Sequence, residues 1–242
     1  MINIAVFTCD KYAPIIPKWL TFFYRYWTLP HKLTIVGVTP GSIKRPIALR
    51  DMPITAVYLG KDYGCAANIL RYLKGQYEPF LMMMDDHVLF EVNNDLLREA
   101  EEIVSRDEVG CVRLVPWPGP TLPYIREDSG FNYETDNFGE IDKSLEYAIS
   151  LQASFWKPAT LEDLLDASWN PWQIELEGSK RAATYSKSFV RNKRDILGAP
   201  ELLGTPYPMR FIGCKVRALN YKDYYMRGGP RPEHAEWVDK NL

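Results

Sequence analysis

The apolar run Phe80-Leu81-Met82-Met83-Met84 ends in Asp85-Asp86-His87, so two carboxylates and an imidazole follow directly on a segment of strand length. Adjacent acids repel, and a divalent cation or several hydrogen-bond donors are what keep both ionised. Carboxylate oxygens suit Mg²⁺ or Mn²⁺, ions that bind through one or two carboxylates together with substrate phosphates. The softer imidazole of His87 moves the choice toward Mn²⁺. Asp85, Asp86 and His87 are therefore the predicted metal ligands. The competing reading is an ordinary turn, with the acids capping backbone donors and His87 packed as a neutral ring or turned to solvent.

A run without polar alternation fits a strand buried on both faces of a parallel sheet. The acids then stand at its carboxyl end, the edge of open α/β sheets where ligands bind. The surrounding chain supplies such a sheet. Strands are predicted at 2–8, 33–38, 54–59, 80–84 and 110–115, with helices at 17–27, 66–74 and 95–104 between them, the last capped by Asn93 or Asn94. Strands alternating with helices indicate βαβ units. Trp19, Phe22, Phe23, Tyr26 and Trp27 form an aromatic stripe on the first helix, the face that covers the sheet.

The second half begins with Pro116-Trp117-Pro118-Gly119-Pro120, and an aromatic-rich loop runs to about residue 137. Loops of that length in a compact domain are functional or disordered. A further strand is predicted at 147–151 and a helix opening at Thr160, with Asp163 three positions on. The expected fold is α/β: one domain over 1–242, with a mixed, mostly parallel sheet flanked by helices. Residues 1–115 form the half that binds the small ligand, and 116–242 form the second half and tail.

Composition excludes several alternatives. With 29 basic against 31 acidic residues and a net charge of −2, the chain lacks the positive excess that a phosphate backbone requires, so no nucleic-acid partner is expected. Cys9, Cys65, Cys111 and Cys214 have neither metal-like nor redox spacing and are expected to be buried free thiols in a reducing compartment. Three histidines disfavour a multi-histidine zinc site. Met1 leads straight into a strand without a basic leader, and no apolar stretch reaches membrane-spanning length. The expectation is a soluble, cytoplasmic protein with no transmembrane segment.

Three segments together narrow the class: the opening Phe7-Thr8-Cys9-Asp10-Lys11-Tyr12, the acid pair, and Leu151-Gln152-Ala153-Ser154-Phe155-Trp156-Lys157 followed by Asn170-Pro171-Trp172-Gln173-Ile174-Glu175-Leu176-Glu177. In letters and in order they resemble the nucleotide-sugar-dependent glycosyltransferases of GT-A fold, in particular bacterial and viral members with an Asn-Pro-Trp-x-x-Glu stretch. The resemblance covers most of the chain. It implies that Asp85-Asp86-His87 stands where the family's Asp-x-Asp binds the metal and donor diphosphate, with His87 departing from the final Asp. It also implies that Thr8, Asp10 and Tyr12 receive the nucleotide; turn chemistry is the alternative for all three.

An inverting transfer needs a carboxylate to take the acceptor hydroxyl's proton as the new bond forms. Glu175 is the candidate base and Glu177 the alternative, because on a helix the two point about 200° apart and only one can face the sheet edge. Trp172 is expected in the core, with packing against a sugar face as the alternative. Arg227 and Arg231, around Gly228-Gly229, are expected to balance the donor's phosphate charge, as the family's basic tails do, and His234 is a more distant candidate ligand. Asp128 and Asp136 are the reserve acids. The implied activity is metal-dependent transfer of a sugar from a nucleoside-diphosphate donor such as a UDP-sugar to a glycan or lipid-linked acceptor. The alternatives are a nucleotidyltransferase acting on a sugar phosphate, which the glycine-free turn after the first strand disfavours, and a non-catalytic nucleotide- or carbohydrate-binding module.

Overall fold

A computed structural model describes residues 1–44, 46–85, 87–114, 135, 137–192, 210–211 and 214–218. Asp86, Asp128, Asp136, Arg227, Arg231, His234 and nearly all of the loop from 116 to 137 lie outside the described residues.

The strands are β1 (Ile2–Phe7), β2 (His31–Gly37), β3 (Ile54–Tyr58), β4 (Phe80–Met84), β5 (His87–Val92), β6 (Val109–Arg113), β7 (Phe138–Glu140), β8 (Ser154–Trp156), β9 (Ser188–Asn192), β10 (Arg210–Phe211) and β11 (Cys214–Ala218). The α-helices are α1 (Ile16–Tyr26), α2 (Cys65–Leu73), α3 (Asn94–Ser105), α4 (Pro158–Leu164) and α5 (Pro171–Ala182). Eight strands form one sheet in the order β3-β2-β1-β4-β8-β6-β9-β7, and β10-β11-β5 form a second, smaller one. Parallel pairing joins β3, β2, β1 and β4, and again β6 and β9; β8 and β7 run antiparallel to their neighbours. This is the mixed, mostly parallel sheet flanked by helices that the sequence pattern predicts.

The order places the site. From β1 the chain steps outward to β2 and β3, then crosses back to lay β4 on the other side of β1. Crossovers therefore leave β1 and β4 in opposite directions, and a crevice opens between their carboxyl ends. Phe7 and Met84 are partners in register there, so Thr8 and Asp85 emerge side by side.

Each face of the sheet has its own apolar layer. On one side α1 and α3 pack, and on the other α2, α4 and α5. Trp19, Phe23 and Trp27, four residues apart on α1, stack in series with ring centroids 5.1 Å apart at 15° and 16°, and Trp19, Phe22, Phe23 and Trp27 are all buried, as the stripe predicts. Tyr26 packs half-buried against the same layer. Asn93 caps α3, its side chain accepting from the backbone of Asp95 and Leu96.

Two predicted elements differ. Residues 147–151 form a loop, with Tyr147 at φ 60°, and the strand lies at β8. Side chains from other elements take the backbone bonds a ladder would have used: Arg113 donates to the Tyr147 carbonyl (2.6 Å), Ile149 N–H donates to Ser179 Oγ (3.0 Å) and Leu151 N–H to Glu175 Oε1 (3.0 Å). The apolar residues Ala148, Ile149 and Leu151 are nevertheless buried, against α4 and α5. Helix α4 begins at Pro158 rather than at a Thr160 cap. Proline's missing N–H and fixed φ suit the first helical position, which leaves Thr160 inside the helix and buried.

Candidate functional site

A cleft of about 420 Å³ opens at the carboxyl edge of β1 and β4, within the roughly 300–1,000 Å³ typical of small-molecule sites. Phe7, Thr8, Met84 and Asp85 form its floor, the turn after β3 and the start of α2 one wall, and the 151–152 segment with the start of α5 the other.

Asp85 is 6% exposed. Thr8 Oγ1 donates to its Oδ2 at 2.5 Å, and its own N–H donates to the Phe7 carbonyl at 3.2 Å, carrying the β1–β4 pairing one residue past the strands. Two strand ends thus hold one carboxylate in fixed position beneath the cleft. Among the described residues no group of three or more His, Cys, Asp or Glu could hold a metal ion. A Mg²⁺ or Mn²⁺ completed by a donor diphosphate asks for only one or two carboxylates, and Asp85, buried at a cleft edge with Asp86 next in sequence, fits that donor set. His87 opens β5 at the start of the small sheet.

Of the three residues expected around the nucleotide, Thr8 and Tyr12 line the cleft and Asp10 does not. Asp10 is exposed; it accepts from Thr39 N–H (3.0 Å) and Thr39 Oγ1 (2.5 Å) and ties the exit of β1 to the exit of β2. Those two bonds hold its carboxyl below the usual aspartate value.

Helix α5 begins at a capping box: Asn170 accepts from Gln173 N–H and Gln173 Oε1 accepts from Asn170 N–H, both at 3.0 Å. The box fixes the orientation of the first turns. Ile174, Gly178, Ser179 and Ala182 form the buried stripe, and Glu175, beside it, faces the cleft. Its Oε1 accepts from Ser150 Oγ at 2.9 Å and from Leu151 N–H at 3.0 Å, while among the described residues Oε2 has no hydrogen bond. Glu177 is turned away and pairs with Lys180 at 2.7 Å on the surface. Trp172, expected in the core, is 60% exposed and lines the cleft. It stands two residues, roughly 200°, from the buried Ile174.

Sequence reasoning missed the opposite wall. Asp62 Oδ1 accepts from Gly64 N–H and from Asn68 Nδ2, both at 2.9 Å, and Tyr63 N–H donates to Asn68 Oδ1 at 3.1 Å. Gly64 stands at φ 93°, where a side chain is strained. The available signal was Asp62 two residues before a glycine, between a strand and a helix, at the ligand-binding edge. Gln152 was also missed. Its N–H donates to Ser150 Oγ at 3.3 Å, and its buried Oε1 has no hydrogen-bond partner among the described residues.

The described thiols, Cys9, Cys65 and Cys111, are free. Cys9 and Cys65 line the cleft instead of filling the core. Burial raises the Cys9 thiol and pushes that of Cys65 up to about 12, so both are protonated at neutral pH. No described helix is long and apolar enough to cross a membrane.

No family model matches the chain, and no curated protein matches it. Solved structures do. Residues 1–349 of S. aureus TarS superpose with a TM-score of 0.51 at 13% identity, covering 78% of this chain and 57% of that one. The same TarS residues in complex with UDP give 0.50 at 13%, over 79% and 60%. An apo UDP-glucose pyrophosphorylase gives 0.52 at 12% identity, over the full length of both chains. The chain thus spans less than two thirds of the TarS structures. At these identities the likeness is one of fold.

Proposed function

We propose that this chain is a single-domain, metal-dependent glycosyltransferase that moves a sugar from a nucleoside-diphosphate donor, UDP in the first instance, to a glycan or lipid-linked acceptor with inversion. One observation carries the reading: a buried strand-end carboxylate, Asp85, and a helix carboxylate, Glu175, border the same cleft at the point where the sheet order reverses. The UDP in the TarS complex supports the choice of nucleotide.

In this reading Thr8 and Tyr12 border the nucleotide, and Thr8 fixes the rotamer of Asp85 through its 2.5 Å bond. Asp85 with Asp86, and His87 as a third candidate, would hold a divalent cation that neutralises the leaving diphosphate. Arg227 and Arg231 share that neutralisation. Glu175, its Oε1 engaged by Ser150 and Leu151, takes the acceptor hydroxyl's proton on Oε2 as the new glycosidic bond forms and the bond to the diphosphate breaks. Glu177, paired with Lys180, is the reserve base.

The test is Mn²⁺-dependent nucleotide affinity in Asp86→Asn. Removing one of two adjacent like charges leaves the fold intact, and binding is expected to weaken at least tenfold. Unchanged Mn²⁺-dependent affinity for both UDP and GDP would overturn the assignment. The full-length match to a UDP-glucose pyrophosphorylase favours one second reading, a nucleotidyltransferase. Release of pyrophosphate from UTP and a sugar 1-phosphate would establish it, and slow release of UDP from a UDP-sugar would establish the first.

A further inference from the structure

The wall of the cleft formed by α5 and the 150–152 segment carries three different chemistries within a short stretch of surface. Trp172 presents a large ring at 60% exposure. Three residues later on the same helix, and so on the same side of it, Glu175 presents a carboxylate. On the same wall Gln152 holds a buried amide oxygen with no hydrogen-bond partner among the described residues.

None of the three positions is accidental in its support. Ser150 Oγ donates to Glu175 Oε1 and accepts from Gln152 N–H, so a single hydroxyl fixes both residues relative to each other. The Gln152 carbonyl is held in turn by Ser154 Oγ at 2.9 Å. The capping box fixes the first turn of α5, which carries Trp172. An unsatisfied buried acceptor is costly unless a ligand or water donates to it. An indole that stays exposed at a cleft gives up the favourable burial such a large ring ordinarily gains.

We propose that Trp172 and Gln152 form an acceptor subsite for a saccharide ring, Trp172 stacking on its apolar C–H face and the Gln152 side chain, whose amide oxygen is covered in this structure, turning to accept a hydrogen bond from one of its hydroxyls. A sugar ring is the ligand that matches this combination, with one flat apolar face and hydroxyl donors around its edge. Between a glycan and a lipid-linked acceptor, this selects the glycan. The proposal rests on the glycosyltransferase reading for its placement beside Glu175, but its test does not.

Direct binding of a panel of glucose-, galactose-, mannose- and N-acetylglucosamine-terminated oligosaccharides, followed by saturation-transfer NMR without nucleotide, reads the subsite. UDP affinity with Mn²⁺, followed by calorimetry in the same proteins, reads the rest of the cleft. In Trp172→Ala saccharide affinity is expected to fall about tenfold or more, Trp172→Phe to recover part of it, and Gln152→Leu to lose a comparable amount, with UDP affinity unchanged in all three. Circular dichroism confirms the fold of each variant. No saccharide binding by the wild type, unchanged binding in Trp172→Ala, or a loss that falls on UDP instead would overturn the proposal, the last by making Trp172 a nucleobase platform. Saccharide binding through Trp172 in a protein that binds no nucleotide would uphold the subsite and refute the transferase.

Discussion

Glu175 has two separable duties, and substitution can divide them. Its Oε1 accepts from Ser150 Oγ at 2.9 Å and Leu151 N–H at 3.0 Å, holding the loop between β7 and β8 against α5. In Glu175→Gln the amide oxygen can accept both bonds, now as a neutral group. Hydrogen bonds to a charged acceptor contribute about 1.5–3 kcal/mol and neutral ones about 0.5–1.5 kcal/mol. The two together therefore weaken by roughly 2–3 kcal/mol, less if solvent at the cleft screens the charge. For a chain of this size that is a fall in Tm of about 4–12 °C. Glu175→Ala removes both acceptors and leaves the Leu151 N–H unsatisfied, for a loss of about 3–6 kcal/mol. If Glu175 is also the general base, Gln and Ala lose transfer alike, on the order of 10²–10⁴-fold, although Gln keeps part of the stability that Ala loses. Donor affinity changes little, because a base acts in the transition state. The assay is transfer from a UDP-sugar to a saccharide-terminated acceptor under saturating Mn²⁺, alongside calorimetric melting. Near-wild-type transfer in Glu175→Gln refutes the catalytic duty. Collapse in Glu177→Gln instead moves it to Glu177, and retained transfer in both points to Asp128, Asp136 or a retaining mechanism. If Gln melts as low as Ala, the bonds to Oε1 do not hold the loop.

Thr8→Val keeps the shape but removes the 2.5 Å bond to Asp85; a loss of about 1–3 kcal/mol in urea denaturation is expected, together with weaker Mn²⁺-dependent UDP binding. Gly110→Ala would set a Cβ 2.7 Å from Thr160 Cγ2 and 3.2 Å from the Phe189 ring. Overpacking of that kind costs about 1–3 kcal/mol, and Thr160→Ser in the same chain should restore part of the melting temperature. Because Thr39 lowers the Asp10 pKa in the folded state, its stabilising contribution is complete above the unfolded carboxylate value, about 3.9. It is lost as pH falls through the lower folded value. Asp10→Asn should therefore narrow the stability difference between neutral pH and about pH 3, measured by urea midpoints, and an unchanged pH dependence would refute the assignment of that bond.

The elements that were legible from sequence are those whose own residues decide them. Strand β4 is five consecutive apolar residues in mid-sheet, the first four buried, and α1 carries its aromatic stack at intervals of four. The position of Asp85 followed from β4 and needed no other element. The 147–151 segment shows the limit. Its apolar residues are buried, but the side chains that satisfy its backbone come from Arg113, Glu175 and Ser179, residues remote in sequence, and no local pattern announces them. Trp172 failed for a related reason. Its hydrophobicity was visible, but its direction depends on which stripe of α5 meets the sheet, and Ile174, Gly178 and Ala182 set that stripe. Gln152 carried no signal in sequence, since a partnerless amide is visible only once its surroundings are known.

The pairing of β5 with β11 has a consequence for how the protein is made. Strand β5 leaves the cleft floor directly after the acid pair, and its partner runs from Cys214 to Ala218, with Val92 opposite Cys214 and His87 opposite Ala218. Contacts so distant along the chain form late, because closing the long loop between them must precede any gain. During synthesis β11 follows β5 by about 120 residues, on the order of ten seconds at the usual pace of translation. For that interval β5 is a strand without its partner, a template for wrong pairing. Nascent chains stopped before residue 214 should therefore bind hydrophobic-strand chaperones through 87–92, and release should coincide with synthesis of the tail.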